Sequence, residues 1–370
     1  MRNLQPIVKI LLLLWLIITI LFCLIVARDI LIPIALSVLL GFMLYPVAEF
    51  LEKKGVPRIL ANLMVILLAG AVLFGVIFLM AKLIGSFMSD VPGMKEKVEE
   101  NLSEFQQTIN DWIGVTEEKQ DEMLSKQSDA IYDSVSNFGK MVFSATATTV
   151  FKFFLLPVYV FLVLFYRDKF RIFLHQMIAD RSRHTVENMI TEISHVATKY
   201  LSGMTFVVVI LSFINSTGLY LIGIKHAILF GLIAAIFNFI PYLGTIIGYL
   251  VVLVFALATQ DINIAMRIIP FFFIVQFVEN NILTPNIAGS QVKINPMVAI
   301  VSLIISGTIW GLAGMFVVIP YLAMLLIVFK HIPTLQPLAF LMSTTGTEHH
   351  SISWEGIKSK FKRWFGKNDQ

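Results

Sequence analysis

The sequence predicts an all-α polytopic membrane protein: about eight transmembrane segments, two of them broken helical runs, and a helical insert outside the bilayer. Three observations predict it. Of 370 residues, 57% are hydrophobic and only 14% charged, whereas a soluble domain of this length needs far more surface charge. The apolar residues gather into long runs, and a helix needs roughly 20 of them to cross a core of about 30 Å. Basic and acidic residues also fall in different segments between the runs, the pattern produced by the excess of Lys and Arg in cytoplasmic loops. The net charge of +4 is therefore loop charge, and no nucleic-acid partner is expected. Cys23 is the one cysteine, so no internal disulfide can form.

Residues 1–88 carry the first spans, about 7–26, 30–50 and 58–88. Arg2 and Lys9 precede the first apolar run as in a signal peptide, but the run is long and lacks a small-x-small cleavage site, so it reads as a transmembrane helix. Pro33, Gly41 and Pro46 predict that the second span kinks or ends early. Lys53, Lys54 and Arg58 place the 51–58 turn in the cytoplasm. Residues 89–140 are acidic and fall outside by parity. Their stripe Val98, Leu102, Phe105, Ile109, Trp112 predicts an amphipathic helix, packed either on its neighbour, on the membrane surface or in an oligomer seam.

Residues 141–166 form the fourth span. The basic segment 167–200 is cytoplasmic, with an amphipathic helix marked by Val186, Met189, Ile193, Val196 and Tyr200 and with Ser182 as its cap. His175, His184 and His195 lack metal-ligand spacing, and no metal or cofactor is expected. Residues 201–342 form the core: a span at 201–222, a broken run at 226–258, a span near 264–283 and a broken run at 296–330. The tail, 343–370, mixes lysines with Trp354, Phe361 and Trp364 and reads either as a helix on anionic lipid heads or as an unstructured end. Both termini are cytoplasmic, whether the broken runs are re-entrant hairpins or kinked full spans.

The chain carries no HExxH, no phosphate-binding Gly-rich loop and no Gly-x-Ser-x-Gly, so no enzyme is predicted. Its chemistry lies in polar and helix-breaking residues at membrane depth, which cost free energy unless they are buried in protein or line a wet cavity. They cluster late: Asn238, Pro241, Tyr242, Gly244, Thr245 and Gly248; then Gln276, Glu279, Asn280, Asn281, Thr284 and Pro285; then Gly307, Gly311, Gly314 and Pro320. Interrupted helices flanking a polar span are the arrangement of secondary transporters, whose freed backbone groups bind ions or polar solutes. The same breaks also read as tight corners held by packing. Glu279 is the only acid between Asp261 and Glu348. It reads either as a coupling carboxylate or as an interfacial group paired with Lys293 or capping a helix. Arg267 reads as a residue snorkelling to a lipid head, with substrate binding as the alternative.

At these residues the sequence resembles the autoinducer-2 exporter family of bacterial membrane proteins. Asn238-Phe239-Ile240-Pro241-Tyr242-Leu243-Gly244 followed by Gly248 is similar to the family's Asn-x-Ile-Pro-x-x-Gly-x-x-x-Gly turn. Gln276, Glu279-Asn280-Asn281, Pro285, Gly289 and Pro296 follow in its order, and Gly307, Gly311, Gly314-Met315 and Pro320 resemble its close. Thr245 stands where a proline is common, and Asn280 where many relatives have glycine. The resemblance implies a multi-pass inner-membrane protein that exports a small solute, such as the signal autoinducer-2, by an ion-coupled mechanism. It implies, as alternatives, sodium– or proton-linked antiport, and it implies self-association, as a pentamer. A passive channel and a non-transporting scaffold are the other classes the residues admit.

Overall fold

The computed structural model describes residues 5–94, 155–177, 183–241, 243–288 and 294–345, with single positions between 97 and 140. Most of the 89–140 stripe, residues 141–154, Ser182, Tyr242, Gly289, Lys293 and the tail beyond 345 lie outside the described residues.

Helices α1 (Gln5–Val26) and α2 (Arg28–Lys53) meet at Ala27. Bonds from Ala27 N to Cys23 O and from Leu31 N to Ala27 O, both 2.9 Å, cross the joint, so it is a bend within helical bonding. The expected early end of the second span is corrected: α2 runs through Pro33 and Pro46 to Lys53. A proline at 46 has no N–H for the carbonyl of Phe42, four residues back. The Thr198 hydroxyl donates to that carbonyl instead, at 2.9 Å, so tertiary structure supplies the missing bond.

Helix α3 (Arg58–Asp90) spans about 50 Å at 1.5 Å per residue. At its start, both Glu52 carboxylate oxygens accept from the Arg167 guanidinium, and Arg58 pairs with Asp168 at 2.8 Å. Burial opposes the Arg167 charge, but the Glu52 partner outweighs it and holds the pKa above the ordinary value. This network ties the 54–57 turn to the junction of α4 (Leu156–Phe165) and α5 (Arg167–Met177). The predicted inner amphipathic helix is not a separate element. It is the first half of α6 (Arg183–Ile222), a single 40-residue helix about 60 Å long. Its Val186 and Met189 are buried with Ile327 and Met342 of the second broken run and the helix that follows.

Both broken runs are hairpins. Helices α7 (Ala227–Phe237) and α8 (Leu243–Thr259) lie antiparallel: a methyl at Gly248 would sit 2.8 Å from Ala234 Cα, and one at Gly244 would collide with the Phe237 carbonyl. The arm α7 rises only about 16 Å, half a bilayer core. Both open ends sit at the far end of α3. Lys225 and His226 reach Asp90 at 2.8 and 3.0 Å, and Asn101 donates to Gln260 O at 2.7 Å.

Helix α9 (Ile262–Val278), capped by Asp261, leads back and widens into a π-helical stretch, Glu279–Ala288. Helix α10 (Pro296–His331) reverses at Gly311, where φ 61° and ψ −143° are open to glycine and strained for other residues. A methyl at Gly314 would strike the Ser306 carbonyl, which lies eight residues away and about 12 Å off in a straight helix. The ends of this second hairpin sit opposite those of the first. His331 faces Glu192 of α6 at 3.8 Å, and Asn295 N donates to O of Met342, the last residue of α11 (Gln336–Met342), at 2.8 Å. The two hairpins therefore enter from opposite ends and meet where the Phe239 and Phe316 rings pack edge to face, 5.3 Å apart.

His226 anchors the first hairpin, with φ 62° and with its ring edge-on to Phe87. Burial lowers its pKa below the ordinary 6.5, against the opposing pull of Asp90. The unfolded chain thus takes up the proton first. This ring's contribution to stability is complete above pH 6.5 and is lost as pH falls through the lower folded value. In His226→Gln, thermal midpoints measured from about pH 8 to about pH 5 should fall less steeply with acid than in the wild type.

Candidate functional site

The sequence places its polar groups at three helix interruptions, and the fold brings two of the three together. The tip of the first hairpin, the α9–π junction and the wall of α6 border a cavity of about 1000 Å³, open on the side where Ile246, Leu250 and Phe273 are exposed. Asn238, Pro241, Thr245, Gln276, Glu279, Asn280 and Thr284 all line it. Asn238 closes the last turn of α7, where its backbone N–H donates to Ala235 O at 3.1 Å. Thr245 begins α8, so the tip presents both to one side.

Glu279 is the single charged residue in the described lining. It is only 6% exposed, and Asn238 only 4%. The Asn238 and Gln276 side chains are set beside the Glu279 carboxyl, yet Asn238 Nδ2 and Glu279 Oε2 make no hydrogen bond of good geometry to protein. Buried polar atoms left in that condition each cost about 1–3 kcal/mol, more for a charged group. A fold that keeps two of them facing a cavity holds donor and acceptor capacity for something that enters it. The π-helical turn beginning at Glu279 contributes here, since widened turns re-aim side chains and are frequent at functional sites.

The remaining predicted residues are placed differently. Gly244 and Gly248 lie between the hairpin arms and set their spacing, not the lining. Asn281 is exposed, with its amide donating to Phe277 O at 2.8 Å, and Pro285 is exposed as well. Gly307, Gly311, Gly314 and Pro320 build the second hairpin but do not line the cavity; that hairpin contributes Ala299 and Ile319. Arg267 is exposed and away from the cavity. Among the described residues no three His, Cys, Asp or Glu side chains group as metal ligands.

Sequence reasoning missed the aromatic wall. Tyr249 and Phe272 stack with centroids 3.8 Å apart at 11°, and Tyr200 and Phe273 extend the lining. In the sequence these residues sit in apolar runs where aromatic side chains read as lipid-facing or core. The spacing Gly248-Tyr249, beside the tip motif, was the available signal.

A helical bundle with five helices, among the described residues, long and apolar enough to cross a membrane, and a largely apolar cavity with a few convergent polar groups between opposed hairpins define a multi-pass membrane protein. The profile described as AI-2E family transporter matches residues 10–334. The chain belongs to this family of membrane transporters. It is 26% identical over 315 residues to the "Putative transport protein YrrI" of Bacillus subtilis (strain 168), covering 83% of this chain and 87% of that one. It is 24% identical to the same bacterium's "Putative transport protein YueF" (81% and 83% covered). It is 23% identical to the "Putative transport protein YhhT" of Escherichia coli (strain K12), with 80% and 82% covered.

Proposed function

We propose that the protein exports a small solute across the bacterial inner membrane by a secondary, ion-coupled mechanism, with the cavity as the site of transport. The observation that carries this is the buried Glu279 carboxyl facing Asn238, each with an unpartnered polar atom, in a cavity between hairpins that enter from opposite ends. Opposed hairpins offer two thin barriers, one on each side of the site, as alternating access requires. Glu279 carries the coupling proton or cation. The end marked by Lys53, Lys54, Arg58 and Arg167 is cytoplasmic by its basic excess, so the first hairpin opens outward and both termini lie inside.

A sodium(cation)/proton antiporter is the second reading, favoured by Glu279 being the sole charge in the described lining. Self-association, as the family resemblance implies, accords with exposed apolar faces on α1 and α3 such as Trp15, Leu67 and Phe74. The test is flux in proteoliposomes with and without an imposed pH or sodium gradient, with autoinducer-2 as the probe solute and sodium as its rival. Solute flux that follows the gradient supports the first reading, and sodium–proton exchange without solute flux supports the second. Gradient-independent flux would point to a passive facilitator and defeat both.

A further inference from the structure

The size and lining of the cavity constrain the chemistry of what fills it. A metal ion is held by a compact shell of oxygen atoms, whereas a hollow of about 1000 Å³ has the size that takes an organic solute. The sign of that solute follows from the charges around it. Glu279 is the single charged residue in the described lining, which holds no Lys, Arg or His. An anion there would face an acid with no compensating cation. A cation would meet a buried carboxylate whose Oε2 has no partner, and would supply the charge that such a group otherwise lacks.

Backbone charge does not reverse this preference. α7 ends at the cavity with the partial negative charge of a helix C-terminus, and α8 begins there with the partial positive charge of an N-terminus. Asn238 from the first and Thr245 from the second both line the hollow, so the two ends offset and Glu279 decides the sign. The rings set the body of the solute. Tyr249 lies close enough to Glu279 to sense its charge, and it stacks on Phe272. Aromatic rings cover apolar surface and attract cations to their faces. At the opening Ile246, Leu250 and Phe273 are exposed, an apolar mouth suited to a solute that is itself partly apolar.

We propose that the cavity binds an organic monocation with an aromatic or other apolar body, its positive centre at Glu279 and its body against the wall that Tyr249 and Phe272 form. One carboxylate balances one charge, so a dication is left half-compensated and an anion is rejected. The proposal rests on the reading of the cavity as the transport site and narrows the small solute of that reading to one class. Its test reads occupancy and not transport.

Three probes share one aromatic body and differ in charge: naphthylmethyl-trimethylammonium, naphthylmethanol and naphthylmethanesulfonate. Each is titrated against the full chain in phosphatidylcholine nanodiscs at mildly alkaline pH, read by naphthalene fluorescence anisotropy and corrected with empty discs. The ammonium should bind about tenfold tighter than the alcohol, the order of advantage that one carboxylate gives in a wet cavity. The sulfonate should not exceed the empty discs. Glu279→Gln should bring the ammonium down to the level of the alcohol, whereas Glu279→Asp, which keeps the charge, should retain the ammonium's lead. An alcohol or sulfonate bound as tightly as the ammonium overturns the proposal, and so do an ammonium affinity unmoved in Glu279→Gln and the binding of none of the three. Should Glu279→Gln not fold, the ranking of the probes on the wild type decides alone. Ammonium that binds in this order but is never carried defeats the transport reading and leaves the site's preference standing. Gradient-driven flux of another solute without ammonium binding defeats the solute class and leaves the transport reading standing.

Discussion

Glu279→Gln should reduce gradient-driven flux in proteoliposomes to the level of protein-free vesicles while leaving the protein as stable as the wild type, or more so. The two effects have one cause. An ionised carboxyl that is 6% exposed with one oxygen unpartnered is destabilising to the fold, and the isosteric amide removes the charge while keeping the volume. Relief of one unpartnered buried polar atom is worth about 1–3 kcal/mol, which reads as an unchanged or raised thermal midpoint in detergent. The amide cannot release a proton or neutralise a cation, so coupling ends. A structural carboxylate would behave in the opposite way, with stability falling and flux following only as folded protein is lost. Flux that persists at the wild-type rate would place coupling elsewhere.

Gly244→Ala should be the most damaging single-methyl change in the core. The added carbon would overlap the carbonyl oxygen of Phe237, a backbone atom of the facing arm, and backbone cannot rotate aside as a side chain can. The hairpin arms must spread, at a cost of about 1–3 kcal/mol for forced overpacking. The displacement falls on Asn238 at the tip, so transport should fall further than stability. Gly70 and Gly75 of α3 are the controls, because a methyl there meets nothing within 4 Å. Gly70→Ala and Gly75→Ala should be neutral or stabilising by up to about 1 kcal/mol, through helix propensity. Equal thermal midpoints for Gly244→Ala and Gly75→Ala would show that the arms are not in the close contact described.

Much of the site was legible because membranes make polar residues conspicuous. Asn238, Gln276, Glu279, Asn280 and Thr284 stand out in apolar runs, and the cost of placing them in lipid is reason enough to expect a shared cavity. Gly244 and Gly311 were legible as breaks, since glycine at such positions signals a turn or a close approach. Their roles were not. The sequence marks Gly307, Gly311 and Gly314 as strongly as the tip of the first hairpin, yet they turn the second hairpin without reaching the cavity lining.

Pro46 and Tyr200 show why the remainder was hidden. A proline reads as a helix end because it leaves a carbonyl unpaired; here Thr198, more than 150 residues away, supplies the donor. Tyr200 belongs to the same periodic stripe as its neighbours, and only the docking of the hairpins decides that it faces the cavity.

By itself, then, the sequence determined the helices, their burial in a bilayer and the residue types that cannot rest in lipid, because these depend on local composition and on spacing within a few turns. Tertiary structure alone decided that the breaks are opposed hairpins, that Glu279 faces Asn238, and that aromatic rings from three helices close around them. Those facts depend on which surfaces meet across the fold, and no local pattern encodes a partner tens of residues away.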